Sequence, residues 1–325
     1  MRTRARRRCA GLVLVPLVLS LTMCAQIERP GPRGTSPAPL PRIPDGSITV
    51  AAAGDIGCPP TDPDFEGEEA SECQQHATAA LLADVDAVAV LGDLQYPDGT
   101  LRTFELGYDL SWGRYADKTY PAAGNHDYHV DGATGYFDYW ASKDRPTGEE
   151  GSGYYSFDLG SWHLVALNSE CDAVPCEEGS EQNEFLERDL MRTSQPCLLA
   201  FWHHPLFNSG ATHGDSVPSG ARAFWDDLTA AGADIVLNGH EHNYQRYGKQ
   251  TGAGQAASDG IRQFVVGTGG KALYPLLEEK DPNFEAGQAN DFGVLKLHLG
   301  EGAYSWEFVS IDGTLLDSGG PVPCN

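Results

Sequence analysis

The chain has 325 residues, with 22 Lys and Arg against 46 Asp and Glu and a formal net charge of -24. Five of the basic residues are Arg2, Arg4, Arg6, Arg7 and Arg8, and without them the balance is 17 against 46, or -29. So acidic a body repels polyanions, which argues against duplex nucleic acid or an anionic bilayer surface as a partner; an anionic substrate would need positive charge from something other than Lys and Arg, such as a bound metal.

Residues 1–24 read as a signal peptide. An Arg-rich start leads into an apolar run from Gly11 to Met23, nearer to the roughly 7–15 residues of a secretory signal than to the ~20 of a membrane span. Leu21-Thr22-Met23-Cys24 resembles a lipoprotein cleavage box in which Cys24 becomes the lipidated first residue, although Met23 stands where a small residue is usual. The chain is therefore expected to be exported, either freely secreted or lipid-anchored through Cys24 on the outer face of the cell membrane. Residues 25–46 are rich in Pro, Gly and Arg, have little to bury, and read as a solvated tether. Residues 47–325 read as one folded domain. Export favours disulfides among Cys58, Cys73, Cys171, Cys176, Cys197 and Cys324. Sequence alone cannot choose among the fifteen pairings of these six. Locality favours Cys58–Cys73 and Cys171–Cys176, which would leave Cys197–Cys324.

Within the domain, strands and helices mostly alternate. Residues 47–53 form an apolar strand ending at Gly54-Asp55-Ile56-Gly57, and an acidic loop runs from Cys58 to Cys73. A helix is expected over 74–83, then a buried strand, Val88-Ala89-Val90-Leu91, ending at Gly92-Asp93-Leu94-Gln95-Tyr96. Residues 103–115 read as helix, and 119–123 as a short extended piece ending at Gly124-Asn125-His126-Asp127. A strand over 162–168 and an amphipathic helix over 181–192 follow. Residues 197–202 form a strand ending at His203-His204-Pro205. Ser219 can cap a helix through Ala231, and a strand over 233–237 ends at Asn238-Gly239-His240-Glu241-His242. Beyond residue 260, strands follow without intervening helices, with a hairpin signal at Asp312-Gly313. The fold class is α/β, finishing in antiparallel strands.

Five strand ends carry metal-type side chains: Asp55; Asp93 with Tyr96; Asn125 with His126; His203; and His240 with His242. Each alone has a bland reading as turn, cap or core residue. Together they fall where open α/β sheets place their ligands, at the carboxyl ends of strands. Carboxylate, amide and imidazole donors without a thiolate suit harder metal ions.

This ordered set resembles the calcineurin-like metallophosphoesterases, and within them the purple acid phosphatases. Most of that superfamily has a metal-binding histidine where Gly57 stands here, whereas the purple acid phosphatases supply a tyrosinate where Tyr96 stands. The resemblance implies a four-layer α/β/β/α sandwich and makes 47–325 a catalytic domain. It further implies a dinuclear centre, with one ion held by Asp55, Asp93, Tyr96 and His242 and the other by Asp93, Asn125, His203 and His240. Three anionic hard donors favour Fe(III) in the first site; the second suits a divalent Fe, Zn or Mn. The implied activity is hydrolysis of a small phosphate monoester by a metal-bound hydroxide, with His126 or His213 as proton donor and Asp127 available to orient His126. Lys271, Arg246 and Tyr244 could contact phosphate or brace the site. The alternatives are a phosphodiesterase or nucleotidase with a Mn or Zn centre, and a non-catalytic secreted binding protein on the same fold.

Overall fold

The computed structural model describes residues 46–67, 71–214 and 221–325. The signal peptide and lipid-anchor readings, nearly all of the tether, and the capping residue Ser219 lie outside the described residues. Among these, no helix is long and apolar enough to cross a membrane.

In chain order the elements are β1 (Ile48–Ala53), α1 (Gln75–Ala80), β2 (Ala87–Leu91), α2 (Leu101–Leu106), β3 (Thr119–Ala122), α3 (Thr134–Ser142), β4 (Tyr155–Leu159) and β5 (Trp162–Ala166). They continue with α4 (Glu181–Leu190), β6 (Cys197–Phe201), α5 (Ala221–Ala230), β7 (Ile235–Asn238), β8 (Tyr244–Tyr247) and β9 (Arg262–Val266). The last four are β10 (Phe284–Gln288), β11 (Gly293–Gly300), β12 (Ala303–Ser310) and β13 (Leu315–Pro323). One sheet runs β13-β12-β11-β1-β2-β3 and the other β10-β8-β9-β7-β6-β5-β4. In the first, β1-β2-β3 is a parallel run at one edge, continued by antiparallel strands beyond β1; in the second, the parallel run β5-β6-β7-β9 is flanked by antiparallel strands on both sides.

The alternation of side chains along a strand decides what each face meets. In β6, Cys197, Leu199 and Phe201 join β1 and β2 in the main core, while Leu198 and Ala200 pack with Leu186 of α4 and Phe224, Trp225 and Leu228 of α5. The two sheets thus share one apolar layer, and helices cover the outer face of the second. The strand β2 is buried at every position, as a strand covered on both faces must be. The four-layer α/β arrangement expected from the sequence is present, and β11-β12-β13 forms the antiparallel finish, turned at Asp312-Gly313.

Local readings fared unevenly. The single helix expected over 103–115 breaks after α2 into two 3-10 segments, Tyr108–Leu110 and Trp112–Lys118. Buried Gln95 causes the break: its Oε1 accepts the Tyr108 N–H at 2.8 Å, and a Cβ on Gly107 would lie 2.2 Å from that oxygen. Helix α3 and strands β4, β8, β10 and β13 carry no clear period in the sequence. The six cysteines pair as Cys58–Cys73, Cys171–Cys176 and Cys197–Cys324.

Candidate metal centre

All seven candidate ligands come together where the parallel strands of both sheets end. Asp55, Asp93 and Asn125 follow β1, β2 and β3; His203 follows β6; His240 and His242 follow β7. Asp55 (φ 59°), Asp93 (φ 51°) and His240 (φ 71°) adopt the left-handed conformation, which costs a non-glycine residue about 1–3 kcal/mol. The surrounding backbone fixes them: Asp55 N–H donates to Gly92 O at 3.1 Å, and His240 N–H donates to Asp55 Oδ2 at 2.9 Å. Space is limiting as well. A Cβ on Gly92 would lie 2.4 Å from His203 Nδ1, and one on Gly124 would lie 2.4 Å from Asp93 Oδ1.

Four of the donors converge tightly. The Tyr96 hydroxyl lies 3.0 Å from Asp55 Oδ1, 2.9 Å from Asp93 Oδ2 and 3.0 Å from His242 Nε2, and His242 Nε2 lies 3.3 Å from Asp55 Oδ1. A phenol has one proton to offer three acceptors. Ligands at ~2.1 Å from one ion and at right angles stand roughly 3.0 Å apart, so the spacing is that of a coordination shell. Burial, followed by the charges of Asp93 and Asp55, pushes the Tyr96 phenol well above its ordinary range. A cation of high charge is what would reverse that order.

The second group has the same character. His203 Nδ1 donates to Leu91 O at 2.8 Å, which aims Nε2 at Asn125 Oδ1 (3.1 Å), His240 Nδ1 (3.2 Å) and Asp93 Oδ2 (3.5 Å). Such an N–H to carbonyl bond fixes the tautomer of a ligating imidazole. Burial disfavours charge on His203, but the neighbouring Asp93 outweighs it and raises the ring to about 10. Burial and the neighbouring His203, His204 and His213 push His240 the other way. Asp93 lies in both groups, and His203 and His126 hold its carboxyl far below the usual range despite its burial. The donors present therefore fit a dinuclear centre: Asp55, Asp93, Tyr96 and His242 could hold one ion, and Asp93, Asn125, His203 and His240 the other.

The proposed acid–base residues are placed unequally. His213, half-exposed, has Nδ1 at 3.2 Å from Glu241 Oε2, and its ring stacks on His240 with centroids 4.1 Å apart. His126 has Nδ1 at 2.6 Å from Pro97 O, packs against the Tyr96 ring, and brings Nε2 within 3.9 Å of Asp93 Oδ2. Asp127 does not orient His126. Its Oδ2 accepts the backbone N–H groups of Gly124 (2.9 Å) and Asp93 (3.2 Å), and its Oδ1 is buried without a hydrogen-bond partner. It is a brace for the loops that carry Asp93 and Asn125. Burial, with Asp93 next to it, raises its carboxyl well above the ordinary carboxylate range.

Arg246 and Tyr244 also turn out to be braces. Both bond Asp317 of β13, and the Arg246 guanidinium lies over the Trp306 ring. Lys271 pairs with Glu72, at 3.7 Å, while its N–H donates to Asp55 O. His204 sits against Ser169 Oγ (3.0 Å) and Glu170 Oε1 (3.2 Å). Three residues at the site were not anticipated from the sequence. Gln95 donates to the carbonyls of Cys58 and Tyr96, Tyr274 stacks on His242 (4.1 Å, 7°), and Glu241 is fully buried behind His213. Glu241 alone had a signal, an acid set between two candidate ligands.

A family model described as calcineurin-like phosphoesterase matches residues 48–244. The chain belongs to that family. Among curated proteins it is 29% identical over 192 residues to purple acid phosphatase 15 of Arabidopsis thaliana, covering 55% of this chain and 35% of that one. It is 28% identical over 276 residues to purple acid phosphatase 18 of the same plant, covering 77% and 55% respectively. The chain thus spans about a third to a little over half the length of these relatives. The structure of a purple acid phosphatase from yellow lupin (Lupinus luteus) seeds superposes with a TM-score of 0.69 at 21% identity, over 84% of this chain and 53% of that one, a likeness of fold. Its similarity within the calcineurin-like phosphoesterases is thus to the purple acid phosphatases, for which a dinuclear metal centre is the expectation.

Proposed function

We propose that the protein is an exported dinuclear-metal phosphatase that hydrolyses small phosphate monoesters. The observation that carries this reading is the Tyr96 hydroxyl held within 3.0 Å of Asp55 Oδ1, Asp93 Oδ2 and His242 Nε2. Two carboxylates and a phenol that can ionise beside a strong Lewis acid favour Fe(III) in that half; the more neutral half, with Asn125, His203 and His240, suits a divalent Fe, Zn or Mn. When bound, such a pair supplies Lewis acidity and an activated water for an in-line displacement.

The remaining steps fall to the chain's own side chains. His213, with Nδ1 facing Glu241, keeps Nε2 to give a proton to the departing alkoxide. His126, with Nδ1 on Pro97 O, keeps Nε2 near Asp93 as a donor to a phosphate oxygen. Asp127 serves through the two N–H groups it holds. The acidic body, with a net charge of -24, leaves the ions as the main source of attraction for an anionic ester and disfavours polyanions. Export rests on the residue 1–24 segment together with three disulfides, which persist in oxidising compartments. Anchoring through a lipid at Cys24 is the membrane contact this reading allows.

The test is metal analysis of the purified protein with its visible spectrum. A tyrosinate-to-Fe(III) band that disappears in Tyr96→Phe is expected; colour, metal content and activity unchanged in that variant would sink the assignment. Rates on aryl phosphomonoesters against bis-aryl phosphates separate this reading from a diesterase.

A further inference from the structure

We propose that Glu241 is a positioning residue: by holding Nδ1 of His213 it fixes the tautomer that leaves Nε2 to protonate the leaving group. This deepens the phosphatase reading above and rests on it.

Glu241 lies between two candidate ligands. The stretch from His240 to Asn243 is a bend, entered through His240 in the left-handed conformation (φ 71°) and closed by the Asn243 N–H donating to Glu241 O, and in it Glu241 does not join the two histidines at the donor groups. It turns into the 208–213 segment, where it is completely buried. Its Oε1 accepts Thr212 N–H at 3.2 Å, and its Oε2 accepts His213 N–H at 3.1 Å and Asn208 Nδ2 at 3.2 Å. Nδ1 of His213 is the fourth contact, 3.2 Å from Oε2. The segment is wrapped so closely that a Cβ on Gly210 would lie 2.0 Å from Glu241 Cγ. A buried carboxylate is costly unless every lone pair finds a donor. Here three of the donors belong to the backbone or amide of one segment and the fourth to the histidine that segment carries.

The consequence is geometric. A carboxylate accepts only, so the His213 nitrogen facing it must carry a proton. Stacking on His240, at 28° between planes, holds the ring's orientation. Glu241 therefore sets both the rotation of His213 and which nitrogen faces the site. A Gln in its place keeps the volume but offers an NH₂ group as well as an oxygen. It can present that group to Nδ1, which then accepts.

The experiment compares Glu241→Gln, His213→Ala and the double variant in the full chain, by two readouts. The first is the nitrogen-15 NMR tautomer signature of His213 in zinc-loaded protein. Nδ1–H is expected in the wild type and its loss in Glu241→Gln. The second is kcat on phosphomonoesters graded from activated aryl to alkyl leaving groups, with metal content measured. Glu241→Gln should lose about 10²-fold or more on alkyl esters and under about threefold on activated aryl esters, and should add nothing in the His213→Ala background. An unchanged His213 tautomer, equal losses across leaving groups, full additivity with His213→Ala, or loss of metal would each overturn the proposal. If the wild type hydrolyses no phosphomonoester, the phosphatase reading fails on the second readout, while the tautomer still decides whether Glu241 positions His213.

Discussion

Two histidine–carboxylate clusters sit at opposite ends of the same pair of parallel strands. His163 in β5 lies level with Leu198 at the start of β6, and His203 follows the end of β6. His163 meets one carboxylate at each nitrogen, Asp158 Oδ1 and Asp189 Oδ2, both at 2.7 Å. The other oxygens are served too, by Gln195 at 3.0 Å and Ser156 at 2.8 Å. Protons and acceptors match, and the cluster is complete as it stands. At the other end, Tyr96 has one proton for three acceptors, and Nε2 of His203 faces an amide oxygen, an imidazole nitrogen and a carboxylate. Both clusters are rich in His and Asp, so composition does not separate them. The ratio of protons to converging lone pairs does: a closed set staples the fold, and a deficient one calls for a cation.

The sharpest break of this contrast is Asp93→Ala. It removes the only carboxylate common to both groups of donors, so both ions should be lost and kcat should fall by at least about 10²-fold, read by metal analysis and steady-state rates. A variant that keeps two metals per chain would show that Asp93 does not join the two groups. Chelation comes next. If the site binds metal only when folded, stripping it should lower Tm by the equivalent of about 2.7 kcal/mol relative to protein at a free metal concentration 100 times Kd, as calorimetry would record. His163→Leu tests the other end. It should destabilise by about 2 kcal/mol in denaturant unfolding, with metal content and kcat unchanged. Loss of metal in that variant would erase the distinction between the clusters.

The smallest effect is one of pH. Burial opposes charge on His163, but the hydrogen bonds it donates to Asp189 and Asp158 prevail and raise its folded pKa above the unfolded value near 6.5. Its contribution to stability is therefore fully present below about pH 6.5 and is lost as pH rises through the raised folded value. The stability gap between wild type and His163→Leu should be wider at pH 6 than at pH 9. A gap that grows with pH would mean that His163 is stabilised as the neutral ring.

Much of the site was legible because each candidate ligand ends a recognisable strand. An apolar run followed by Gly-Asp, Gly-Asn-His or Gly-His-Glu-His is a local pattern, and the order of such patterns along the chain resembles one family. The α/β class, the antiparallel finish and the two short-range pairs Cys58–Cys73 and Cys171–Cys176 were legible for the same reason, since period and spacing are properties of neighbours in sequence, whereas Cys197–Cys324, 127 residues apart, was only the pair left over. What the sequence could not carry were side chains whose partners lie far along the chain. Asp127 reads as a partner for His126 one residue away, but its carboxylate is taken by backbone N–H groups at Gly124 and Asp93. Gln95 has no role that its neighbours in sequence suggest, yet it breaks a helix thirteen residues later by taking the Tyr108 N–H. Arg246 reads equally as a phosphate contact or a brace, and only its bond to Asp317, seventy-one residues on, makes it a brace. The residue types that could hold ions were set by the sequence itself. Only the tertiary structure decided which lone pairs are left facing one another, because hydrogen bonds are assigned by distance in space and a proton given to one acceptor is unavailable to the next.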